Sequence, residues 1–149
     1  MKVGDYCPQF ELVDQFGNTF NVKNWIGKKK LVLFFYPKDE TPGCTKEACT
    51  FRDRHDEFLA NDCQVVGISS DSVDSHNQFA NKHGFNYLLL ADTDKKVRKL
   101  FNVPGSLFGL LPGRVTYIID LEGKIRGIHN SQLNPVSHIE EAIELVKRL

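Results

Sequence analysis

The feature that most constrains the fold of this chain is the apolar run LVLFFY at residues 31–36. It is apolar at consecutive positions, which is typical of a strand buried on both of its faces. A run of this length is far too short to span a bilayer, because a membrane helix needs about 20 apolar residues. The run therefore predicts the central strand of a covered sheet, in a chain that does not cross a membrane.

Strand and helix patterns alternate along the rest of the chain. Further strands are predicted at residues 10–13, 19–22, 63–68, 87–91, 115–120 and 124–129, and helices at 45–60, 74–83, 94–101 and from Asn134-Pro135 to the end. The first two strands form a hairpin with Gly17 and Asn18 in its turn. This order predicts an α/β fold with a central mixed sheet, helices on both faces and an N-terminal β-hairpin. Because we find no repeat or linker, residues 1–149 are predicted to form one domain.

The charge balance argues against several classes of partner. Lys and Arg together number 19, as do Asp and Glu, so the formal net charge is zero. A nucleic acid or an anionic membrane would require a basic face, and the lysine triplet at residues 28–30 is better explained as a solvated lead-in to a buried strand. The N-terminus has neither the apolar core of a signal peptide nor the Arg- and Ser-rich character of a transit peptide. We therefore expect a cytoplasmic protein or, alternatively, the mature form of an organellar one, for example from a plastid.

The cysteines are the candidate reactive groups. Four cysteines in 149 residues are too few for the disulfide framework of a small secreted domain, so reduced, reactive or metal-binding thiols are the options. Cys44 lies at the predicted start of a helix, directly after Pro42 and Gly43 and with Glu47 in the first turn. Unpaired N–H groups and the positive dipole end at a helix N-terminus favour a thiolate. Since its turn is polar rather than apolar, Cys44 is predicted to be reactive and not an inert core cysteine.

The same turn supplies two residues that can shape a pocket around this thiol. Thr41, three residues before Cys44, can aim a hydroxyl at the same point. Pro37 directly follows the strand at 31–36. Because proline has no N–H, it can line a pocket without competing for hydrogen bonds.

Cys49 follows Cys44 by five positions on the same predicted helix. In ideal helix geometry the two Cα atoms lie about 8 to 9 Å apart, which is beyond the limit of ~7 Å for a disulfide. A bond between them is incompatible with an intact helix, so the first turns must unwind if the two cysteines ever pair. The spacing also differs from that of zinc ligands and of C-x-x-C dithiols, and the five histidines form no visible metal constellation.

These residues carry a family resemblance. Pro37, Thr41 and Cys44 match the P-x-x-x-T-x-x-C signature of the peroxiredoxins, and the continuation CTKEACTFRD resembles their bacterioferritin-comigratory, or peroxiredoxin Q, subgroup. Other similar segments are VGDYCPQF near the start, VVGIS at 65–69 and SLFGLLPGRVTYIID at 106–120. Cys7 is a departure, because the family opening usually has alanine there. The resemblance implies a thioredoxin-like fold.

The resemblance also implies a role for each matching residue. Cys44 matches the peroxidatic cysteine, and Cys49 matches the resolving cysteine of the Q type, which implies an intramolecular Cys44–Cys49 disulfide. Thr41 and Pro37 match the residues that shape the peroxide pocket.

Two charged residues complete the implied site. Arg114 matches the arginine beside the thiolate, and Glu47 matches a glutamate that helps to hold that arginine. Because an arginine cannot lose its charge, it can stabilise both the thiolate and the departing oxygen. Without the resemblance, Arg114 would be interpreted as a surface arginine that opens a strand. Cys7 and Cys63 are expected to be small core residues, although a pairing between them stays open at this point.

The resemblance implies a thiol-dependent peroxidase that reduces hydrogen peroxide and organic hydroperoxides and serves antioxidant defence and redox homeostasis. It implies regeneration by thioredoxin or a similar dithiol protein, a monomer, and no cofactor or metal. One alternative is a redox sensor whose Cys44–Cys49 pair passes oxidation to a partner protein. Another is a dithiol oxidoreductase, which the missing C-x-x-C motif disfavours.

Overall fold

The computed structural model describes residues 1–105, 113–130 and 139–149. Its strands are β1 (Glu11–Asp14), β2 (Thr19–Asn21), β3 (Lys30–Phe35), β4 (Cys63–Ser69), β5 (Leu88–Ala91), β6 (Val115–Ile119) and β7 (Ile125–Asn130). Its helices are α1 (Pro42–Leu59), α2 (Val73–His83), α3 (Lys96–Leu100) and α4 (Ile139–Arg148), with a short 3-10 helix at Val22–Asn24. The predicted helix opening at 134–135 and the stretch 106–112 lie outside the described residues. Within the described ranges, no helix combines the length and the apolar character that crossing a bilayer requires.

The strands of the described residues form one mixed sheet in the order β2-β1-β5-β4-β3-β6-β7. β4 pairs in parallel with β3 and with β5. The other pairs are antiparallel: β1 with β2 and β5, and β6 with β3 and β7. The predicted parallel centre and N-terminal hairpin are therefore confirmed, and the apolar strand lies between a parallel and an antiparallel neighbour.

Each face of the sheet carries an apolar core. On one face, Val32 and Phe34 of β3 pack with buried residues of α1, α2 and α4. On the other face, Leu31, Leu33 and Phe35 pack with the N-terminal segment and with Val97 of α3. Because both faces are covered, every residue of β3 is buried, which explains why its sequence is apolar at consecutive positions from residue 31 onward.

The position of α1 depends on a close contact with the sheet. The ring of Phe34 stacks on Phe51 of α1, with 4.6 Å between the ring centroids. Gly67 of β4 makes room for this ring, because a Cβ at that position would lie 2.7 Å from the Cζ atom of Phe34. This packing holds α1 over β3 and β4 and brings its first turn to the end of β3.

The register between β3 and β6 brings a distant segment to the same edge. Val115 of β6 pairs with Phe35 of β3. Arg114, one residue earlier, therefore lies beside the end of β3, where the chain turns toward α1. The sheet thus places the predicted arginine next to the predicted cysteine.

Some local details differ from the sequence predictions. α1 begins at Pro42 and not at residue 45, because proline is well accommodated in the first turn of a helix. α3 is shorter than predicted, because Lys95 adopts a left-handed conformation (φ 63°) directly before it. Leu59 was predicted on the apolar face of α1, but this is wrong, since Leu59 is 41% exposed at the end of the helix.

Candidate active site

Cys44 is the third residue of α1 and lies in its first turn. Thr41 is the N-cap residue, and its carbonyl accepts the Thr45 N–H at 2.8 Å. The side chain of Cys44 is almost fully buried, with 1% of its surface exposed. The thiol is therefore surrounded by protein at the positive end of a helix, where the backbone favours a negative charge.

Arg114 connects Cys44 with Glu47. Its Nη2 donates to the Sγ atom of Cys44 at 3.3 Å, and its Nη1 donates to Oε1 of Glu47 at 2.7 Å. Glu47 is fully buried and Arg114 is 5% exposed. The structure therefore brings these three predicted residues together. Since α1 begins at Pro42, Glu47 lies in the second turn and not in the first as predicted, one helical turn beyond Cys44 and on the same face.

The charges of this buried pair follow from its geometry. Burial raises the pKa of Glu47 to about 8, although the charge and the hydrogen bond of Arg114 act in the opposite direction. Burial by itself lowers the pKa of Arg114, but Glu47 and Cys44 outweigh it and the net change is a rise. Because Arg114 keeps its charge and donates to Glu47 at 2.7 Å, the length of a charge-assisted hydrogen bond, we interpret this contact as an ion pair.

Pro37 and Thr41 lie at the two ends of the loop that joins β3 to α1, and both are half-buried. The hydroxyl of Thr41 donates to the Lys38 carbonyl at 2.9 Å, across its own loop. Its lone pairs and rotatable O–H suit contact with a small polar molecule above the helix start. The structure thus places both residues at the same end of α1 as Cys44.

Cys49 lies on α1 and is half-buried, and both it and Cys44 are free thiols. The helix between them is continuous, as the spacing argument requires for the unbonded state. The pKa of Cys49 is raised by burial, with Asp53 and Glu40 adding to the rise and Arg52 opposing it. Cys49 is therefore held as a thiol, whereas attack on a peroxide requires a thiolate.

The other two cysteines are core residues on opposite faces of the sheet. Cys63 packs in the core beneath α1, whereas Cys7 packs in the core beside α3. Burial raises the pKa of each thiol to about 12, so both stay protonated at neutral pH. Because the sheet separates them, these two cysteines cannot pair with each other in the folded protein.

Sequence reasoning missed a buried arginine that supports the site. Arg98 of α3 donates to the carbonyl of Tyr36 at 2.9 Å and to the carbonyl of Gly113 at 2.8 Å. These carbonyls belong to the residues directly before Pro37 and Arg114. Arg98 therefore ties together the two segments that form the site. A single arginine in a short helix carries no sequence signal for this role.

Among the described residues, one cluster has side chains of the type that bind metals: Asp39, Asp71 and His76, with ligand atoms within 4.8 Å of one another. However, only 2.7 Å separates Oδ2 of Asp39 from Nδ1 of His76. Two ligand atoms that bind one tetrahedral zinc ion lie roughly 3.3 Å apart. The short contact is a hydrogen bond, so we interpret this cluster as a polar network. Sequence reasoning did not single it out.

Comparisons with known proteins agree with this site. The sequence profile of the AhpC/TSA family matches residues 3–128. Peroxiredoxin Q, chloroplastic, of Populus jackii is 46% identical over 146 residues, covering 98% of this chain and 68% of that relative. The crystal structure of peroxidoxin BcpB from Mycobacterium tuberculosis is 38% identical, with a TM-score of 0.91 and coverage of 100% of this chain and 98% of that one.

A further solved structure, of the Xanthomonas campestris bacterioferritin comigratory protein, is 28% identical, with a TM-score of 0.85 over 93% of this chain and 90% of that one. The predicted thioredoxin-like peroxiredoxin fold is therefore confirmed. With the family profile covering most of the sequence, the chain belongs to the AhpC/TSA family and, within it, to the peroxiredoxin Q group of thiol peroxidases.

Proposed function

We propose that this protein reduces hydrogen peroxide and alkyl hydroperoxides at Cys44 and is regenerated by thioredoxin or a similar dithiol protein. The observation that carries the proposal is the 3.3 Å contact between Arg114 and the Cys44 sulfur in a buried helix N-terminus. It is the arrangement expected for a stabilised thiolate nucleophile. The Xanthomonas campestris relative was described for its alkyl peroxide reduction activity, which supports the choice of substrate.

In the first step, the Cys44 thiolate attacks one peroxide oxygen and the O–O bond breaks. Cys44 becomes a sulfenic acid, and the other oxygen leaves as water or an alcohol after taking up a proton. Arg114 balances the negative charge on the sulfur before the attack and on the departing oxygen afterwards. We assign Thr41 and Pro37 to the walls that align the peroxide, with Gly43 leaving room at the helix start and Glu47 orienting Arg114.

In the second step, the Cys49 thiol condenses with the sulfenic acid to form the Cys44–Cys49 disulfide and water. The first turns of α1 must unwind for this, because an intact helix holds the two residues too far apart. The dithiol reductant then exchanges with the disulfide and restores both thiols. Electrons pass through the cysteines alone, so the cycle as proposed uses no cofactor or metal.

The setting of the reaction is also part of the proposal. We propose that residues 1–149 act as one domain and as a monomer. We assign the protein to the cytoplasm, with a plastid as the alternative because relatives such as the one from Populus jackii are named chloroplastic. The cytoplasm keeps thiols reduced through thioredoxin and glutathione, which fits a dithiol protein as the electron donor.

The test is peroxide consumption with thioredoxin, thioredoxin reductase and NADPH, followed at 340 nm with hydrogen peroxide and with an alkyl hydroperoxide. We expect rapid, repeated turnover that stops when thioredoxin is omitted. Slow oxidation of one equivalent, with a partner protein captured as a mixed disulfide, would favour the sensor alternative instead. Turnover that is equally fast with glutathione alone would contradict the choice of reductant.

Replacing Cys49 by serine should separate the two halves of the cycle. The first reaction with peroxide is expected to keep a rate within about threefold of the wild-type protein, since Cys49 lies outside the Arg114 contact set. Steady-state turnover with thioredoxin should be lost, because the Cys44 sulfenic acid has no resolving thiol. Mass spectrometry after one equivalent of peroxide and a dimedone trap detects the Cys44 sulfenic acid that remains in this variant, and the coupled thioredoxin assay measures its turnover. A Cys63→Ser variant is the matched control, and normal turnover by Cys49→Ser would rule out the resolving role.

Disulfide formation should unwind only the beginning of α1. A contact fastens the helix further along, where Arg52 donates to the His83 carbonyl at 2.6 Å. Oxidation is therefore expected to remove amide protection at residues 45–49 and to leave it unchanged beyond Arg52. Hydrogen exchange of the reduced and the oxidised protein measures this. Equal protection of residues 45–49 in both redox states would contradict the unwinding step.

A further inference from the structure

A buried carboxylate lies in the loop that carries Pro37 and Thr41. Asp39 is 4% exposed, and its carboxyl group makes hydrogen bonds with three side chains. Its Oδ1 accepts the hydroxyl of Tyr36 at 2.6 Å, and its Oδ2 accepts the hydroxyl of Ser75 at 2.8 Å. Its Oδ2 also contacts Nδ1 of His76 at 2.7 Å. Three groups thus converge on one carboxyl group between the two residues assigned to the peroxide pocket.

The partner of Asp39 is a histidine whose two ring nitrogens both face oxygen atoms. His76 of α2 is fully buried, and its Nε2 lies 2.9 Å from the carbonyl of Leu90. A carbonyl can only accept, so Nε2 carries a hydrogen. Nδ1 faces the Asp39 carboxyl group at 2.7 Å, and a hydrogen on either Nδ1 or the carboxyl group completes this hydrogen bond. The ring is fixed at both ends, between β5 and the loop.

The backbone of the loop is fastened to the same region. The Asp39 N–H donates to Oδ2 of Asp71 at 2.9 Å, and the Ser69 hydroxyl at the end of β4 donates to the same oxygen at 2.6 Å. Glu40, the next residue, has a left-handed backbone (φ 66°) and forms an ion pair with Lys82 of α2 at 2.9 Å. A non-glycine residue adopts this conformation only when its surroundings hold it there.

We propose that Asp39 and His76 form a positioning pair, which holds the loop at residues 37–41 against α2 and so sets the rate of the peroxide step. This inference rests on the proposed function. The pair contacts neither Cys44 nor Arg114 in the hydrogen bonds of the described residues. It acts through Pro37 and Thr41, and it should therefore change how a peroxide is aligned without changing the nucleophilicity of the thiolate.

The two ring nitrogens can be tested separately with amide side chains. The amide nitrogen of asparagine can replace Nδ1, so His76→Asn keeps the bond to Asp39. The amide nitrogen of glutamine replaces Nε2, so His76→Gln keeps the bond to Leu90 and leaves Asp39 without this partner. Misalignment of a reactant by about 1 Å can lower a rate roughly 100-fold. We expect His76→Gln to slow oxidation of Cys44 by hydrogen peroxide roughly 10- to 100-fold, and His76→Asn to restore most of the rate.

The reference reaction is alkylation of Cys44 by iodoacetamide at the same pH, followed by mass spectrometry of the Cys44 peptide. Iodoacetamide needs the thiolate but not the peroxide pocket, so its rate should be unchanged in both variants. Asn77→Ala is the matched control, because Asn77 fastens the same helix to the carbonyl of Gln15 at 3.0 Å and not to the loop. It should leave both rates unchanged.

The outcomes are distinct. A lower peroxide rate with normal alkylation in His76→Gln, restored in His76→Asn, supports the proposal. A peroxide rate within twofold of the wild type, or an equal fall in both reactions, overturns it. If His76→Gln does not fold, Ser75→Ala removes one bond to Asp39 and should lower the peroxide rate alone; no change there also overturns the proposal. If the wild-type protein itself does not react rapidly with peroxide, the proposed function fails instead.

Discussion

Replacing Cys44 by serine is expected to lower the rate of peroxide reduction by about 1,000-fold or more. A serine hydroxyl is not ionised at neutral pH and is a weak nucleophile, even beside Arg114. The structure offers no replacement nearby among the described residues, because Cys49 is held as a thiol and Cys63 lies deep in the core. The loss should therefore appear in the first turnover and not only in recycling.

The measurement is the second-order rate constant for reaction with hydrogen peroxide, obtained by competition with a second peroxidase in a stopped-flow experiment. Cys49→Ser is the matched control, since it removes a thiol from the same helix and should keep the first turnover. The Cys44→Ser protein should also keep the melting temperature of the wild type within a few degrees, because serine is close in size to the buried cysteine. Undiminished peroxide reduction by this variant would disprove the assignment of Cys44.

Replacing Arg114 by methionine should lower the peroxide rate constant by about 100- to 1,000-fold, the range seen when one preorganised charge-stabilising group is removed. Methionine retains much of the apolar stem of arginine but cannot donate to the Cys44 sulfur. The variant should still fold, because burial raises the pKa of Glu47 and loss of the guanidinium removes the charge and the hydrogen bond that oppose this rise. Glu47 can then take up a proton and avoid an uncompensated buried charge.

Lysine at position 114 should recover only a small part of this rate. One ammonium group cannot reproduce the fork of Arg114, which donates from Nη1 to Glu47 and from Nη2 to Cys44 at the same time. Glu47→Gln is expected to lower the rate about tenfold, because Arg114 loses its charged partner but keeps its own charge. In the double variant with Arg114→Met, the Glu47 change should add little, since the residue acts through Arg114.

Arg126→Met provides the control for a general loss of arginine. Arg126 lies on β7, with its side chain 48% exposed, and pairs with Asp120 at 3.2 Å, so its removal should leave the peroxide rate unchanged. All variants should be compared by the peroxide rate constant and by thiolate absorbance at 240 nm. If Arg114→Met reacted with peroxide at the wild-type rate, the 3.3 Å contact between Arg114 and the Cys44 sulfur would not contribute to catalysis.

The sequence predicted the elements of this fold well, because their signals are local. A run that is apolar at consecutive positions had to be a covered strand, and β3 is buried at every residue. The errors were also local: proline opens α1 at residue 42, which moves Glu47 into the second turn, and Leu59 at the far end of the helix is exposed. Helix ends are the positions at which short-range patterns are least informative.

The supporting residues of the site could not be predicted in the same way. His76 is 37 residues from Asp39, and Arg98 is 62 residues from Tyr36 and 15 from Gly113. None of these residues stands in an unusual local pattern. Their roles come from burial next to a particular carboxylate or carbonyl, and this depends on which strands become neighbours in the sheet.

By itself, the sequence determined the relation between Cys44 and Cys49, because both lie on one helix and their spacing along it sets the distance between them. It also placed Cys44 in the first turn, where the backbone favours a thiolate. The family resemblance pointed to Arg114, but only the tertiary structure decided how it reaches the sulfur. Arg114 is 70 residues away and reaches Cys44 at 3.3 Å because β6 pairs antiparallel with β3, in the register that brings Val115 beside Phe35.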